Sequence, residues 1–382
     1  MGRIISRALV LEIPRRQSVF LWGPRGVGKS FWIRHRYPDA PLVDLLQTDV
    51  FAEYAARPAL LRERFARLPE QLVVIDEVQK VPALLDEVHW LIENTSLSFL
   101  LTGSSARKLR RGHANLLAGR AWRRHMVPLT MLEVDALDLE RVMVSGLLPR
   151  HFVSDHPRED LRAYVADYLK EEIAAEALTQ NIPAFAEFLR VAALTSSELL
   201  NYTNVARESG VSAKVVRTYF DILEDTYLGF RLRPWHKATR RRLIETEKFY
   251  LFDVGVTNHL ARRQPQPGSP EFGKSLEHYL LMELRAYQSY RQPDLDLRFW
   301  RTASGYEVDL IAGDLDLAVE VKGSGRVHEG DLRALRALAE EHHVGRRVVV
   351  CLETQPRVLS DGIEILPWRV FLQRLWAGDL GI

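Results

Sequence analysis

The strongest constraint on the fold of this chain is one short glycine-rich run, Gly23-Pro24-Arg25-Gly26-Val27-Gly28-Lys29-Ser30. An apolar stretch at residues 18–22 predicts a buried strand before it, and a helix-compatible stretch begins at Lys29. Glycines here let backbone N–H groups close around phosphate oxygens, and the start of a helix adds positive partial charge. The run therefore predicts a phosphate-binding loop, with Lys29 at the terminal phosphates and the Ser30 hydroxyl on Mg²⁺. A glycine-rich turn before an ordinary helix is the alternative that this setting disfavours.

A pair of adjacent carboxylates completes a candidate site for nucleotide hydrolysis. The buried strand predicted at residues 72–75 runs straight into Asp76 and Glu77. In a sheet of parallel strands, ligands bind at the carboxyl ends, so both side chains should lie near the loop. Asp76 would then hold the Mg²⁺ ion, and Glu77 would orient and deprotonate the attacking water. The combination favours ATP hydrolysis over nucleotide binding alone, with ATP and Mg²⁺ as cofactors.

Two residues further along the chain are candidates for assisting the same reaction. The strand predicted at residues 98–102 ends before Ser104, whose hydroxyl would sense the γ-phosphate or position the water. Capping of the next helix is the alternative for this serine. Arg120 precedes the basic pair Arg123 and Arg124, and it would neutralise transition-state charge in its own chain or in a neighbouring one. A solvated basic turn is the alternative for Arg120.

Hydrophobic periodicity divides the chain into three blocks. Strands and helices alternate up to about residue 130, which predicts an α/β block with a mostly parallel sheet covered by helices. Residues from about 155 to 225 show only the helical period, and strands return from about residue 246, which predicts an α+β block. At about 100–200 residues per domain, 382 residues are expected to form domains at 1–135, 136–245 and 246–382.

Composition indicates a reducing compartment. A single cysteine excludes a disulfide framework and a multi-cysteine metal site. No apolar run approaches the roughly 18–20 residues that span a bilayer. Glu12 and Pro14 interrupt the apolar stretch of the basic N-terminus, which argues against a signal peptide. We therefore expect a cytoplasmic protein with no membrane partner.

Motifs spread over nearly the whole chain carry a family resemblance. They lie at residues 23–30, 75–82, 101–105, 117–120, 146–149, 248–255, 273–277, 306–309 and 320–322. In this order they resemble the motifs of bacterial and archaeal AAA-type P-loop ATPases that carry a C-terminal domain of unknown function. The first motifs are shared by P-loop ATPases in general, and the later ones point to this family. The resemblance implies ATP binding and hydrolysis, while the family's cellular role is largely unassigned.

The helical block contains a predicted helix–turn–helix at residues 204–223, with Lys214 and Arg217 on the exposed side of its second helix. A basic stretch from Arg231 to Arg242, the predicted wing, follows it. A winged helix of this kind would bind DNA, whereas an interdomain or oligomer contact is the alternative. The formal charge is +2, from 52 Lys and Arg against 50 Asp and Glu. That balance excludes a basic coat over the whole surface but allows a local patch.

Three carboxylates and a lysine form a second candidate site near the C-terminus. Glu277 lies on a predicted helix, Asp309 lies in a predicted strand, and Glu320 and Lys322 share one face of the next strand. Together they would hold one or two divalent metals and activate water for phosphodiester cleavage. Their spacing resembles the restriction-endonuclease-like fold, many of whose relatives are catalytically inactive. A buried ion-pair network is the alternative.

The sequence is therefore compatible with three functions of different classes. The first is an Mg²⁺-dependent ATPase whose nucleotide state drives or gates a conformational change, with DNA, a protein or a second copy of the chain as partner. The second is a switch that holds ATP or ADP with little turnover. The third is a metal-dependent nuclease that uses the C-terminal cluster.

Overall fold

The computed structural model describes residues 5–15, 17–107, 109, 117, 121–169, 181–236 and 243–382. The chain folds into two compact units. The first comprises the residues up to Pro128 together with Phe220–Leu228, and the second comprises Leu129–Tyr219 and Gly229–Ile382. The second unit holds most of the helical block as well as the C-terminal block, so the predicted boundaries at residues 135 and 245 stay predictions.

A five-stranded parallel sheet forms the centre of the first unit. Its strands are β1 (Ser18–Trp22), β2 (Leu42–Asp44), β3 (Leu72–Asp76), β4 (Ser98–Gly103) and β5 (Ala121–His125). They lie in the order β2-β3-β4-β1-β5, and each neighbouring pair is parallel. Strand β4 lies between β1 and β3 and runs parallel to both. The carboxyl ends of these three strands therefore lie side by side at one edge of the sheet. The predicted N-terminal α/β fold is confirmed.

The helices around this sheet are α1 (Lys29–Arg36), α2 (Thr48–Ala56), α3 (Leu60–Phe65) and α4 (Leu84–Asn94). The helical stretch between β2 and β3 is two helices, α2 and α3. Pro58 separates them, because it lacks a backbone N–H and disfavours helical geometry in the residue before it. Tyr54, Leu61 and Val88, one from each of α2, α3 and α4, pack into one buried core with the strands.

The helical middle lies mainly in the second unit. Its helices are α5 (Leu139–Ser145), α6 (Pro149–Val153), α7 (Pro157–Ala163), α8 (Ile182–Leu194), α9 (Tyr202–Ser209) and α10 (Ala213–Asp225). Asn181 and Asn201 cap α8 and α9, because each side chain accepts hydrogen bonds from backbone N–H groups of the first turn. Between Leu129 and Asp225 the described stretches contain helices and no named strand, which confirms the helical middle.

An eight-stranded mixed sheet forms the C-terminal part of the second unit. Its strands are β6 (Gly229–Pro234), β7 (Lys248–Leu251), β8 (Leu297–Arg301), β9 (Glu307–Ala312), β10 (Leu317–Val321), β11 (Arg346–Cys351), β12 (Arg357–Val358) and β13 (Glu364–Pro367). The helices are α11 (Val254–Leu260), α12 (Pro270–Tyr290), α13 (Arg333–Ala339) and α14 (Trp368–Ala377). The strand order is β12-β13-β11-β10-β9-β8-β6-β7. The C-terminal α+β fold is thus confirmed.

The order from α12 onward agrees with the predicted restriction-endonuclease-like core. A helix is followed by the antiparallel strands β8, β9 and β10, then by α13, and then by β11 parallel to β10. Strand β6, which contains the first residues of the predicted wing, pairs antiparallel with β7 and also pairs with β8. In the parts of the chain described above, no helix is both long and apolar enough to cross a membrane.

Candidate nucleotide-binding and hydrolysis site

The phosphate loop joins β1 to α1 in the first unit, and it surrounds the ammonium group of Lys29. Lys29 is 5 % exposed and donates hydrogen bonds to the carbonyl oxygens of Gly23 (2.6 Å) and Pro24 (3.1 Å). Gly28 has a φ of 93° directly before α1, and a Cβ at Gly23 would lie 2.2 Å from the Met126 carbonyl oxygen. Both glycines are therefore required by the geometry of the loop. The other loop residues are the exposed Arg25 and Gly26 and the buried Val27.

Arg7 anchors this loop to the end of β5, a contact that sequence analysis missed. Its guanidinium donates to the carbonyl oxygen of Val27 within the loop. The same group donates to the carbonyl oxygens of Val127 (2.6 Å) and Pro128 (3.3 Å). Five N–H donors in a rigid fork allow one arginine to hold several carbonyls at once. No sequence pattern distinguishes this arginine from others near the N-terminus.

Ser30 and Asp76, the predicted Mg²⁺ ligands, lie side by side. Asp76 is 1 % exposed, and the hydroxyls of Ser30 and Thr102 hydrogen-bond to its carboxylate. Burial raises the pKa of Asp76, the two hydroxyls lower it, and the nearby carboxylates of Glu77 and Asp44 raise it further. An adjacent carboxylate and hydroxyl fit Mg²⁺, which takes few protein ligands and completes its shell with phosphates and water.

Glu77, the predicted base, lies half-buried immediately after Asp76. Its backbone is left-handed, with a φ of 58°, and its N–H donates to the Thr102 hydroxyl oxygen (3.0 Å). A left-handed conformation costs a residue with a side chain roughly 1–2 kcal/mol, so the surrounding hydrogen bonds must hold it. Thr102 also donates to Asp76, so one hydroxyl links both carboxylate residues to β4.

Ser104 lies beside Glu77, and Gln79 lies there as well. The Ser104 hydroxyl donates to Glu77 Oε2 (3.1 Å), and the side-chain amide of Gln79 donates to the same oxygen. The hydrogen bonds of Ser104 therefore go to the predicted base and to Gln79 rather than to a helix end. Sequence analysis missed Gln79, for which the only signal was its place inside the motif at residues 75–82.

Arg120 lies outside the described residues, so its assignment stays a prediction. The strand β5 begins directly after it and lies at one edge of the sheet. Arg123 is exposed on this strand, and the Arg124 guanidinium lies 5.4 Å from the ring centroid of Trp122.

In the second unit, the four residues of the C-terminal cluster lie together with Lys248, which sequence analysis missed. Lys248 is 1 % exposed, and its ammonium lies 3.2 Å from Glu277 Oε1 and 2.6 Å from Glu307 Oε1. Lys322 pairs with Glu320 Oε1 at 2.6 Å. The cluster is therefore a buried network of alternating carboxylates and ammonium groups.

Burial and mutual repulsion shift the carboxyl groups of this network. Burial raises the pKa of Asp309 well above its usual range, and the carboxylates of Glu320 and Glu277 raise it further. Burial raises the pKa of Glu320 to about 7, while Lys322 acts in the opposite direction. Burial lowers the pKa of Lys248, but neighbouring carboxylates outweigh that effect and raise it above its ordinary value. Among the described residues, no group of three or more His, Cys, Asp or Glu side chains is arranged to hold a metal ion.

The predicted DNA-binding residues are only partly described. Lys214 and Arg217 are both exposed on α10, and the Arg217 guanidinium lies 4.0 Å from the ring centroid of Tyr202. At the start of the predicted wing, Arg231 is paired with Glu247 at 2.9 Å. Residues 237–242, which contain most of the basic wing, lie outside the described residues.

Three known domain families match successive parts of the chain. The AAA domain family matches residues 15–134, a domain of unknown function (DUF8612) matches residues 136–267, and a second domain of unknown function (DUF4143) matches residues 272–371. The chain carries an AAA domain followed by a C-terminal DUF4143 domain. The resemblance to AAA-type P-loop ATPases with a C-terminal domain of unknown function is thereby confirmed. The AAA match covers the loop at residues 23–30 together with Asp76, Glu77 and Ser104.

Two uncharacterized relatives align with this chain over most of their length. An uncharacterized protein of Mycobacterium tuberculosis is 26 % identical over 375 residues, which cover 92 % of this chain and 80 % of that protein. An uncharacterized protein of Haemophilus influenzae is 21 % identical, covering 80 % of this chain and 79 % of its own.

Solved structures include distant neighbours. A Walker-type ATPase of Pyrococcus abyssi aligns with a TM-score of 0.42 and 15 % identity, covering 64 % of this chain and 90 % of its own. The Aeropyrum pernix Orc1 protein in complex with DNA aligns with a TM-score of 0.27 and 14 % identity, covering 66 % and 87 %. Both TM-scores are low, so the assignment of the AAA domain rests on the domain families.

Proposed function

We propose that the AAA domain binds ATP with Mg²⁺ and hydrolyses it. The observation that carries this proposal is the meeting of the loop with the end of β3, where Ser30 hydrogen-bonds to Asp76 and Glu77 follows directly. A loop without a carboxylate pair would support nucleotide binding alone. Here a cation, a pair of Mg²⁺-binding groups and a base lie at one edge of the sheet, as phosphoryl transfer to water requires.

Each of these side chains has a defined part in the proposed reaction. The Lys29 ammonium, which donates to loop carbonyls, would donate instead to phosphate oxygens of the nucleotide. Ser30 and Asp76 would hold Mg²⁺, which supplies charge neutralisation on the phosphate oxygens when bound. Glu77 would orient the attacking water and accept its proton.

The first test is the effect of Lys29→Ala on nucleotide binding and turnover. We expect the wild-type protein to release phosphate from ATP only with Mg²⁺. Lys29→Ala should bind Mg-ATP at least about tenfold more weakly and release no phosphate above background, because a buried charge-assisted contact is lost. Arg36→Ala, which removes an exposed cation from the other end of α1, is the matched control and should behave as wild type. Unchanged Mg-dependent ATP turnover in Lys29→Ala would contradict the proposal.

We further propose that the exposed face of α10 contacts DNA through Lys214 and Arg217. Both side chains are exposed on the second helix of a helix–turn–helix, which is the helix that enters the major groove of DNA in this motif. Arg231 is not included, because Glu247 already neutralises it within the protein.

For the C-terminal cluster we propose a structural role in preference to nucleic-acid cleavage. The ammonium of Lys248 lies 3.2 Å from Glu277 and 2.6 Å from Glu307, so one carboxylate of the candidate metal site is already paired with a cation of the protein. A lysine held there by two carboxylates supplies the positive charge that the buried acids need.

A further inference from the structure

The carboxylate of Glu77 is held by a small hydrogen-bonded group that includes a residue without an assigned role. Gln79 lies in the 3-10 turn Val78–Lys80 directly after Glu77, and it is 5 % exposed. Its Nε2 donates both to Glu77 Oε2 and to Ser104 Oγ, the latter at 3.1 Å. Because an ionised carboxylate only accepts hydrogen bonds, the amide nitrogen of Gln79 must be the group that faces Glu77.

Both donors of this group meet one carboxylate oxygen. Ser104 Oγ donates to Glu77 Oε2 at 3.1 Å, and Gln79 Nε2 donates to the same atom. Two donors on one oxygen fix the rotation of the carboxylate about its last bond. No hydrogen bond among the described residues occupies the other oxygen, Oε1, which is therefore the one available to a water molecule.

The absence of a side chain at Gly103 leaves space for the Gln79 side chain beside the end of β4. A Cβ on Gly103, at the end of β4, would lie 2.6 Å from Gln79 Oε1 and 2.5 Å from the Trp22 ring. Gly103 therefore allows the amide to lie against β4, next to Ser104. Within the described chain, Gln79 Oε1 is buried and has no hydrogen-bond donor. A buried amide oxygen without a donor is unfavourable, and such exceptions are uncommon enough to require a reason.

We propose that Gln79 is the positioning residue for the proposed base, and this inference rests on the proposed ATP hydrolysis. Gln79 and Ser104 hold Oε2 of Glu77, so that Oε1 accepts the proton of the attacking water. The water oxygen bonds to the γ-phosphorus as the bond to the β-phosphate bridging oxygen breaks, and ADP leaves with that electron pair. Gln79 touches neither nucleotide nor water in this scheme, and it acts only through Glu77.

The test compares Gln79→Met with wild type in steady-state ATP turnover. Methionine keeps the length and buried packing of glutamine but removes the donor. We expect kcat to fall at least about tenfold, while KM and the Kd for Mg-ATP stay within about twofold, since misplacing a reacting group affects the chemical step. Gln71→Met, at the opposite end of β3, is the matched control and should retain wild-type kcat. Thermal unfolding of each variant shows that the fold is intact.

A double mutant separates positioning from a general structural effect. If Gln79 acts through Glu77, adding Gln79→Met to Glu77→Gln lowers the residual turnover no further. Gln79→Glu, which keeps the shape but replaces the donor with a second carboxylate, is the second variant and should also lose kcat.

Either of two results would overturn the role of Gln79 and leave the proposed ATP hydrolysis intact. One is a wild-type kcat in Gln79→Met. The other is an equal fractional loss of turnover from Gln79→Met with and without Glu77→Gln. Absence of turnover in the wild-type protein would instead overturn the proposed function itself, and the role of Gln79 with it.

Discussion

Lys248 determines the charge balance of the buried polar network in the second unit. Its ammonium pairs with Glu277 and Glu307, and it lies 5.3 Å from the ring centroid of Phe299. Removing one partner from a buried ion pair leaves the other charges uncompensated, which costs more than the pair itself contributes. Loss of Lys248 should therefore destabilise the protein more than loss of a surface ion pair.

We expect Lys248→Met to lower the free energy of unfolding by about 3–5 kcal/mol, because it leaves buried carboxylates without their cation. Urea unfolding measures this change. Lys274→Met is the matched control: Lys274 pairs with Glu198 at the surface, and its loss should cost at most about 1 kcal/mol. Equal effects of the two substitutions would refute a structural role for the Lys248 network.

At the scale of single residues, sequence analysis identified the groups that have a fixed chemical motif. Asp76, Glu77 and the loop residues follow strands at predictable places, and parallel strands bring their ends to one edge. Gln79, Arg7 and Lys248 could not be found in this way. Each is defined by partners far along the chain or by a hydrogen bond within a turn, and neither leaves a periodic pattern in sequence.

At the scale of elements, α10 carries the prediction about DNA. We expect the double substitution Lys214→Glu and Arg217→Glu to weaken binding of a labelled duplex at least about tenfold at low salt, and to lower the log–log salt slope by about 2. Fluorescence anisotropy at several salt concentrations measures both. Arg291→Glu, an exposed change in the same unit, is the charge control. Equal affinity of the two variants would show that α10 does not contact DNA.

Burial decided which elements could be predicted. Central strands such as β1 and β4 are continuous buried runs, so their positions were clear from sequence. Edge strand β5, which contains the exposed Trp122 and Arg123, and the two-residue β12 have no such run and were missed. The apolar spacing continues across Pro58, so hydrophobic periodicity does not mark the division between α2 and α3.

Two motifs of the family resemblance are explained by a contact between elements. Asp253 caps α11 by accepting from the N–H of Val256 (3.0 Å), and it also accepts from the N–H of Leu147 (2.7 Å). A Cβ on Gly146 would lie 2.0 Å from Asp253 Oδ1, and one on Gly255 would lie 2.1 Å from the Gly146 nitrogen. The glycines and the aspartate at these distant positions thus pack as one unit. This contact could not be deduced from sequence spacing.

At the scale of the whole molecule, the near-neutral total charge does not describe how charged side chains are distributed locally. In the first unit, Lys29 is buried and donates to carbonyl oxygens of its own loop, and the second unit buries its own ion pairs. We therefore expect the chemistry at the sheet edge that carries Lys29, Asp76 and Glu77, and a structural role for the C-terminal network.

The measurement that tests this account most directly is single-turnover hydrolysis of ATP by Glu77→Gln. We predict that hydrolysis falls at least about 100-fold relative to wild type, because the base is lost. The Kd for Mg-ATP should stay within about threefold, since Lys29, Ser30 and Asp76 are intact. Hydrolysis by Glu77→Gln at the wild-type rate would contradict the assignment of the base. A wild-type protein that binds Mg-ATP tightly without hydrolysing it would contradict the ATPase and favour a nucleotide-gated switch.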